Sequence, residues 1–219
     1  IHTCALTESR VVKCWGANSF GQLGNGGVTA VTAGTTIDVS TLGASNVQIS
    51  AGRYTTCAVN SSGGLMCWGD NIYGLIVAGS GRSNVTTPVV PYSLTSGIEA
   101  VSLSEYSTCA LFVSGDLRCW GANASGQTGD GYQVRTISPT EVHTSVGNSA
   151  PLTGVQSLGS SGWGNCALML AGGLNCWGYN VNGELGDGRN IGSPQPVAHA
   201  TLSSGIQRIE GQSNTKCAL

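Results

Sequence analysis

The sequence predicts an all-β chain, a β-propeller or an open arc of one, with about four antiparallel blades visible from a longer chain. Three observations predict it. A cysteine-rich motif recurs with a period near 50 residues, the mark of a repeat architecture. Two cysteines stand ten residues apart inside every complete copy, which suits a short hairpin. The composition also fits short strands joined by glycine-rich turns: 34 glycines in 219 residues, 9% charged and 40% hydrophobic.

The copies read CALTESRVVKCWGAN, CAVNSSGGLMCWGDN, CALFVSGDLRCWGAN and CALMLAGGLNCWGYN. They begin at Cys4, Cys57, Cys109 and Cys166, spaced by 53, 52 and 57 residues, and a fifth opens at Cys217. The chain therefore divides as one array into a partial repeat 1–46, repeats 47–97, 98–153 and 154–204, and a partial repeat 205–219. Both ends fall inside a repeat, so a fragment of a longer chain is expected.

A hairpin centred on Ser114 sets Cys109 opposite Cys119 and Leu111 opposite Leu117. The same arithmetic pairs Leu6 with Val12, Val59 with Leu65, and Leu168 with Leu174. Side chains alternate faces along a strand, so the apolar pair and the cysteine pair share one face. A three-residue loop remains, whose third position needs a left-handed residue, and Gly63, Gly115 and Gly172 supply it. Arg10 is the exception, so the first turn is expected to be strained or looser.

Alternating segments precede the hairpins at 47–49, 100–103, 155–158 and 206–209. Extended stretches with proline follow, such as 87–90 and 194–197. This makes three or four strands per unit and no convincing helix, hence small sheets packed face to face. Trp15, Trp68, Trp120 and Trp177 each follow a cysteine and so point to the opposite sheet face. They are expected to fill the space between blades, with the indole N–H on a backbone carbonyl; a ligand platform is the alternative. Trp163 lies outside the pattern and is a candidate contact residue.

The segments WGANSFGQLGNG (15–26), WGANASGQTGDG (120–131) and WGYNVNGELGDG (177–188) resemble the regulator of chromosome condensation repeat, as do the hairpins ahead of them. The version resembled is the secreted, bacterial-type, disulfide-bearing one, and the likeness covers essentially the whole chain. It implies a propeller, usually of seven blades, each repeat contributing to two adjacent blades. It also implies functional variety, from a chromatin-bound exchange factor for a small GTPase to secreted bacterial proteins. The second copy, WGDNIYGLIVAGSG (68–81), lacks the Gln-Leu-Gly step, so a rebuilt loop is expected. His2 stands where relatives often carry histidine; Thr55, Ser107, Gly164 and Thr215 replace it elsewhere.

Two readings compete for the cysteines. They are either reduced core residues or cross-strand disulfides, Cys4–Cys14, Cys57–Cys67, Cys109–Cys119 and Cys166–Cys176. Opposed strand positions lie within bridging range, and the disulfide reading is the expected one. It implies an oxidising compartment, with Cys217 unpaired or intermolecular. The cysteine spacing is not a metal-knuckle spacing, and no metal or cofactor is expected. Three sequons mark Asn60, Asn84 and Asn123 for N-glycosylation; Asn84 is the best placed, whereas Asn123 shares a turn position with Asn18, Asn71 and Asn180.

A net charge of -2 and scattered basic residues give no footprint for nucleic acid. The apolar run around 75–78 is far too short to cross a bilayer. His2, His143 and His199 occupy unrelated positions with no nucleophile or carboxylate set, and Asp130 and Asp187 read as turn residues ahead of calcium ligands. The GxxGxG runs neither follow a long parallel strand nor open a helix, so they are not phosphate loops. The expected function is a non-enzymatic extracellular scaffold for protein binding or assembly, with a fibre subunit joined end to end by strand addition as its narrowest version. Recognition would come from the variable loops 27–46, 75–96 and 132–153. The alternative is an intracellular regulatory propeller such as a small-GTPase exchange factor.

Overall fold

The computed structural model describes residues 2–32, 34–77, 83–145, 148–212 and 215–219. Strands β1 (His2–Leu6), β2 (Val12–Gly16) and β3 (Ile37–Asp38) form the first sheet. The second contains β4 (Asn46–Ala51), β5 (Thr55–Asn60), β6 (Leu65–Gly69) and β7 (Val85–Val89). The third contains β8 (Ile98–Leu103), β9 (Ser107–Phe112), β10 (Leu117–Gly121) and β11 (Thr136–Glu141). After a ribbon of β12 (His143–Ser145) and β13 (Asn148–Pro151), the fourth contains β14 (Val155–Ser161), β15 (Gly164–Met169), β16 (Leu174–Gly178) and β17 (Ser193–Ala198). A last pair joins β18 (Ile209–Gln212) to β19 (Thr215–Ala218).

Each four-stranded sheet is an antiparallel meander in chain order, the blade of a propeller. The hairpin register follows from the repeat: Cys4 faces Cys14, Cys57 faces Cys67, Cys109 faces Cys119 and Cys166 faces Cys176. Gly63, Gly115 and Gly172 hold φ of 76°, 88° and 80° in the hairpin loops. Arg10 adopts the same left-handed conformation, φ 62°, instead of loosening the turn. Its carbonyl accepts the Asn46 side-chain amide at 3.0 Å, which ties the turn to the next blade.

Two segments differ from the sequence reading. The last inner strand starts at Ile209 rather than Ile206, while Gln207 and Arg208 still bond the backbone of Leu219. Residues 132–153, read as a variable loop, hold the whole of β11 and of the β12–β13 ribbon. Their polar, low-charge composition gave no clean apolar alternation, the usual strand signal.

The core lies between blades, because the two faces of a blade carry different residues. The cystine face of one packs against the tryptophan face of the next: Cys57 and Cys67 share a cluster with Trp120, and Cys109 and Cys119 share one with Trp177. Cys14 likewise sits with Trp68. Trp68, Trp120 and Trp177 are fully buried. Neighbouring inner strands are also joined, since Gln48 Oε1 accepts the Val101 N–H at 2.8 Å and Ser50 Oγ accepts that of Leu103 at 3.1 Å.

Candidate functional site: an aromatic rim

Chain direction reverses at every step of a meander, so the first-to-second and third-to-fourth connections of each blade emerge at one end. The residue three before the first cysteine of the hairpin lies there: Tyr54, Tyr106 and Trp163. The repeated CWG fixes these residues. Gly69, Gly121 and Gly178 hold φ of 108°, 120° and 106°, and a Cβ on any of them would strike the carbonyl of Tyr54, Tyr106 or Trp163. The next N–H along the chain, from Asp70, Ala122 or Tyr179, donates to that same carbonyl at 2.9, 2.9 and 3.1 Å. A glycine is therefore required for the close approach that sets each rim residue in place.

The rings form a row across blade boundaries. Phe20 meets Tyr54 at a centroid distance of 4.6 Å, Tyr73 meets Tyr106 edge-on at 5.2 Å, and Tyr106 meets Trp163 at 4.6 Å. Tyr179 extends the row, 6.1 Å from Trp163. Arg53 links its parts: the guanidinium lies 4.9 Å over the Tyr54 ring, donates to the Tyr106 hydroxyl at 2.9 Å and pairs with Glu105. Trp163 is 38% exposed, an unusual degree for an indole locked among other rings.

The four cysteine pairs are disulfide-bonded, with Cα separations of 4.0–4.1 Å at opposed, non-hydrogen-bonded positions. Cys217 is free and exposed. The indole N–H groups of Trp68, Trp120 and Trp177 donate to the carbonyls of Gln22, Leu75 and Gln127 in the preceding repeat, at 2.8, 2.8 and 2.9 Å. Trp15 is only half-buried.

Asn123 is buried, and its Nδ2 donates to Asp130, Tyr132 and Val134. In the folded chain that amide is a loop anchor rather than an accessible glycan acceptor, a role shared by Asn18 and Asn180. Asn84 is exposed. Half-buried Asn60 accepts from Ser62 and Gly64 at the hairpin tip.

The loop of the second copy keeps its first half: Gly74 holds φ 71° and Asn71 Oδ1 accepts the Ile76 N–H, as Asn18 does for Leu23. Leu75, Ile76 and Val77 replace the Gln-Leu-Gly step: the Val77 N–H also donates to Asn71 Oδ1 at 3.2 Å, and the Asn71 amide donates to the Val77 carbonyl at 3.2 Å, while 78–82 lie outside the described residues. His2 is buried, with Nε2 2.7 Å from Thr56 Oγ1 across the blade junction, and burial pushes its pKa down to about 4. His199 Nδ1 accepts the backbone N–H groups of Thr201 and Leu202, and His143 lies 3.8 Å from Glu141. Among the described residues no group of three or more His, Cys, Asp or Glu could hold a metal ion, and no helix is long and apolar enough to cross a membrane.

Sequence reading singled out Trp163 in this row and missed the others. A usable signal existed, namely an aromatic residue three positions before Cys57, Cys109 and Cys166.

Blades built this way, cystine face on tryptophan face, define a β-propeller made of hairpin repeats. The chain carries repeats of the regulator of chromosome condensation (RCC1) type, whose model matches residues 2–22, 47–75 and 98–127. It is similar to the ultraviolet-B receptor UVR8 of Arabidopsis thaliana, 30% identical over 92% of this chain and 44% of that protein. It also resembles the probable E3 ubiquitin-protein ligase HERC4 of Homo sapiens, 25% identical over 89% of this chain and 18% of that protein. The chain thus spans less than half the length of these curated relatives.

Among solved structures, human WBSCR16 superposes with a TM-score of 0.82 at 19% identity, over all of this chain and 55% of that one. Yeast RCC1 (Prp20), in its complex with Kap60, gives 0.75 at 18% identity over all of this chain and 52% of that one. These likenesses support the fold.

Proposed function

We propose that the chain is a non-enzymatic scaffold that binds a protein partner through its aromatic rim and works in an oxidising, extracellular setting. The row from Phe20 to Tyr179 carries the reading. Tyr, Trp and Arg are the residue types that dominate binding energy at protein interfaces, and here they sit on a frame braced by disulfides. A rigid surface loses little entropy on binding. The cystines support the compartment, because a reducing cytosol would not maintain them. Asn84, and next Asn60, are the proposed glycan acceptors in that setting.

The test is a photo-crosslinking residue at position 163, with one at position 170 as control. Leu170 is exposed at a hairpin tip, the opposite end of the blade. Crosslinking to a protein of the surrounding medium from 163 alone supports the reading. Equal labelling from both positions, or none from 163, overturns it.

A further inference from the structure

We infer that the rim's occupant is a proline-rich segment in the polyproline II conformation; this rests on the rim being the binding surface. Side chains and backbone together narrow the choice. Strand addition needs free backbone N–H and C=O groups, and those along the rim are taken. Gly52 N–H goes to Thr55, Ser104 N–H to Ser107, and Glu105 N–H to the Gly162 carbonyl of the next blade. Asp70, Ala122 and Tyr179 fill the carbonyls of the three rim aromatics.

A charged or phosphorylated ligand would need an uncompensated cation. Arg53 is paired with Glu105 and engaged by two tyrosines, and Arg135 caps the carbonyls of Ile72 and Tyr73. Asp70 accepts the Ile72 N–H at the same end of the blade. These two arginines and two carboxylates leave the surface near neutrality.

What the rim offers is ring faces and donors. Among the described residues, the Trp163 indole N–H and the hydroxyls of Tyr54, Tyr73 and Tyr179 have no protein acceptor. The complementary ligand presents acceptors and compact apolar rings, and brings no N–H groups of its own to satisfy. A polyproline II segment does this. Its carbonyls are unpaired, proline lacks the N–H, and its shape is preformed, so docking on aromatics costs little ordering entropy. The tilted and edge-on ring contacts along the row leave ridges for the pyrrolidine rings to straddle.

The test titrates the isotope-labelled chain with a peptide of about nine prolines, roughly three turns of that helix. A glycine-serine peptide of equal length and a neutral gluco-oligosaccharide serve as comparisons. The indole N–H signal of Trp163 should shift with the proline peptide alone, while those of Trp68, Trp120 and Trp177 stay fixed and report the fold. Trp163→Ala should weaken binding about tenfold or more, the loss expected of a central aromatic contact. Trp163→Phe, which keeps a ring but loses the N–H, should show an intermediate loss. No shift with the proline peptide, an equal shift with glycine-serine, or a response to the saccharide instead would overturn the inference. A protein crosslinked from position 163 together with a silent proline peptide would leave the scaffold reading standing and this inference refuted; loss of both results would remove both.

Discussion

Buried His2 is the residue with most leverage over pH behaviour. It spans the first blade junction to Thr56, and burial lowers its pKa from 6.5 to about 4. The unfolded chain therefore binds the proton more readily. Stability from this group is complete above about pH 6.5 and is lost as pH falls towards 4, by at most about 3 kcal/mol. Urea unfolding at pH 7.5 and 4.5 should show that drop, and His2→Gln should remove it. An unchanged slope in the variant would contradict the assignment. Arg10 is a second test. It holds the left-handed position that glycine fills in the three later hairpins, at a cost of about 1–2 kcal/mol. Arg10→Gly should raise stability by somewhat under about 1 kcal/mol, since the added freedom of the unfolded chain offsets part of the relief. Thermal unfolding measures it.

Each hairpin brings a cystine to one sheet face and an indole to the other, and the junctions differ in how they receive the indole. The Gln22 and Gln127 carbonyls each accept a second donor, from Thr56 and Asn165. The Leu75 carbonyl takes only the Trp120 indole among the described residues, and nearby Thr108 Oγ1 is buried without a partner. Trp120→Phe should thus cost about 1–3 kcal/mol, more than Trp177→Phe, because it strands a buried acceptor. Equal losses in chemical denaturation would refute this. Replacing Cys109 and Cys119 together by alanine should cost roughly 2–3 kcal/mol through the freed unfolded chain, with the hairpin register intact by NMR. The hairpins were legible because period-two alternation, a ten-residue spacing and a loop glycine all converge on one register. The β12–β13 ribbon was not, because pairing there relies on backbone rather than an apolar face. The rim was half legible. Trp163 broke a visible pattern, but Tyr54 and Tyr106 gain meaning only when the meander brings successive blades to one end.

At the scale of the whole chain, nearly all apolar burial is shared between neighbouring blades, so the rim depends on the array being intact. The tyrosines and Trp163 come from three blades, and only the stacking of those blades aligns them. Unfolding should accordingly be cooperative across blades 2 to 4, with Trp163 fluorescence and far-ultraviolet dichroism changing together; a separate early loss of the rim signal would show that the blades act independently. The proposed scaffold is braced by cystine for work in an oxidising environment. Its most direct test is the intact mass of protein isolated from its source, alkylated after unfolding, with and without reductant. Without reductant, none of the eight paired cysteines should be alkylated and only Cys217 should react, and all should become reactive on reduction. Alkylation of all nine cysteines in the unreduced material would contradict it.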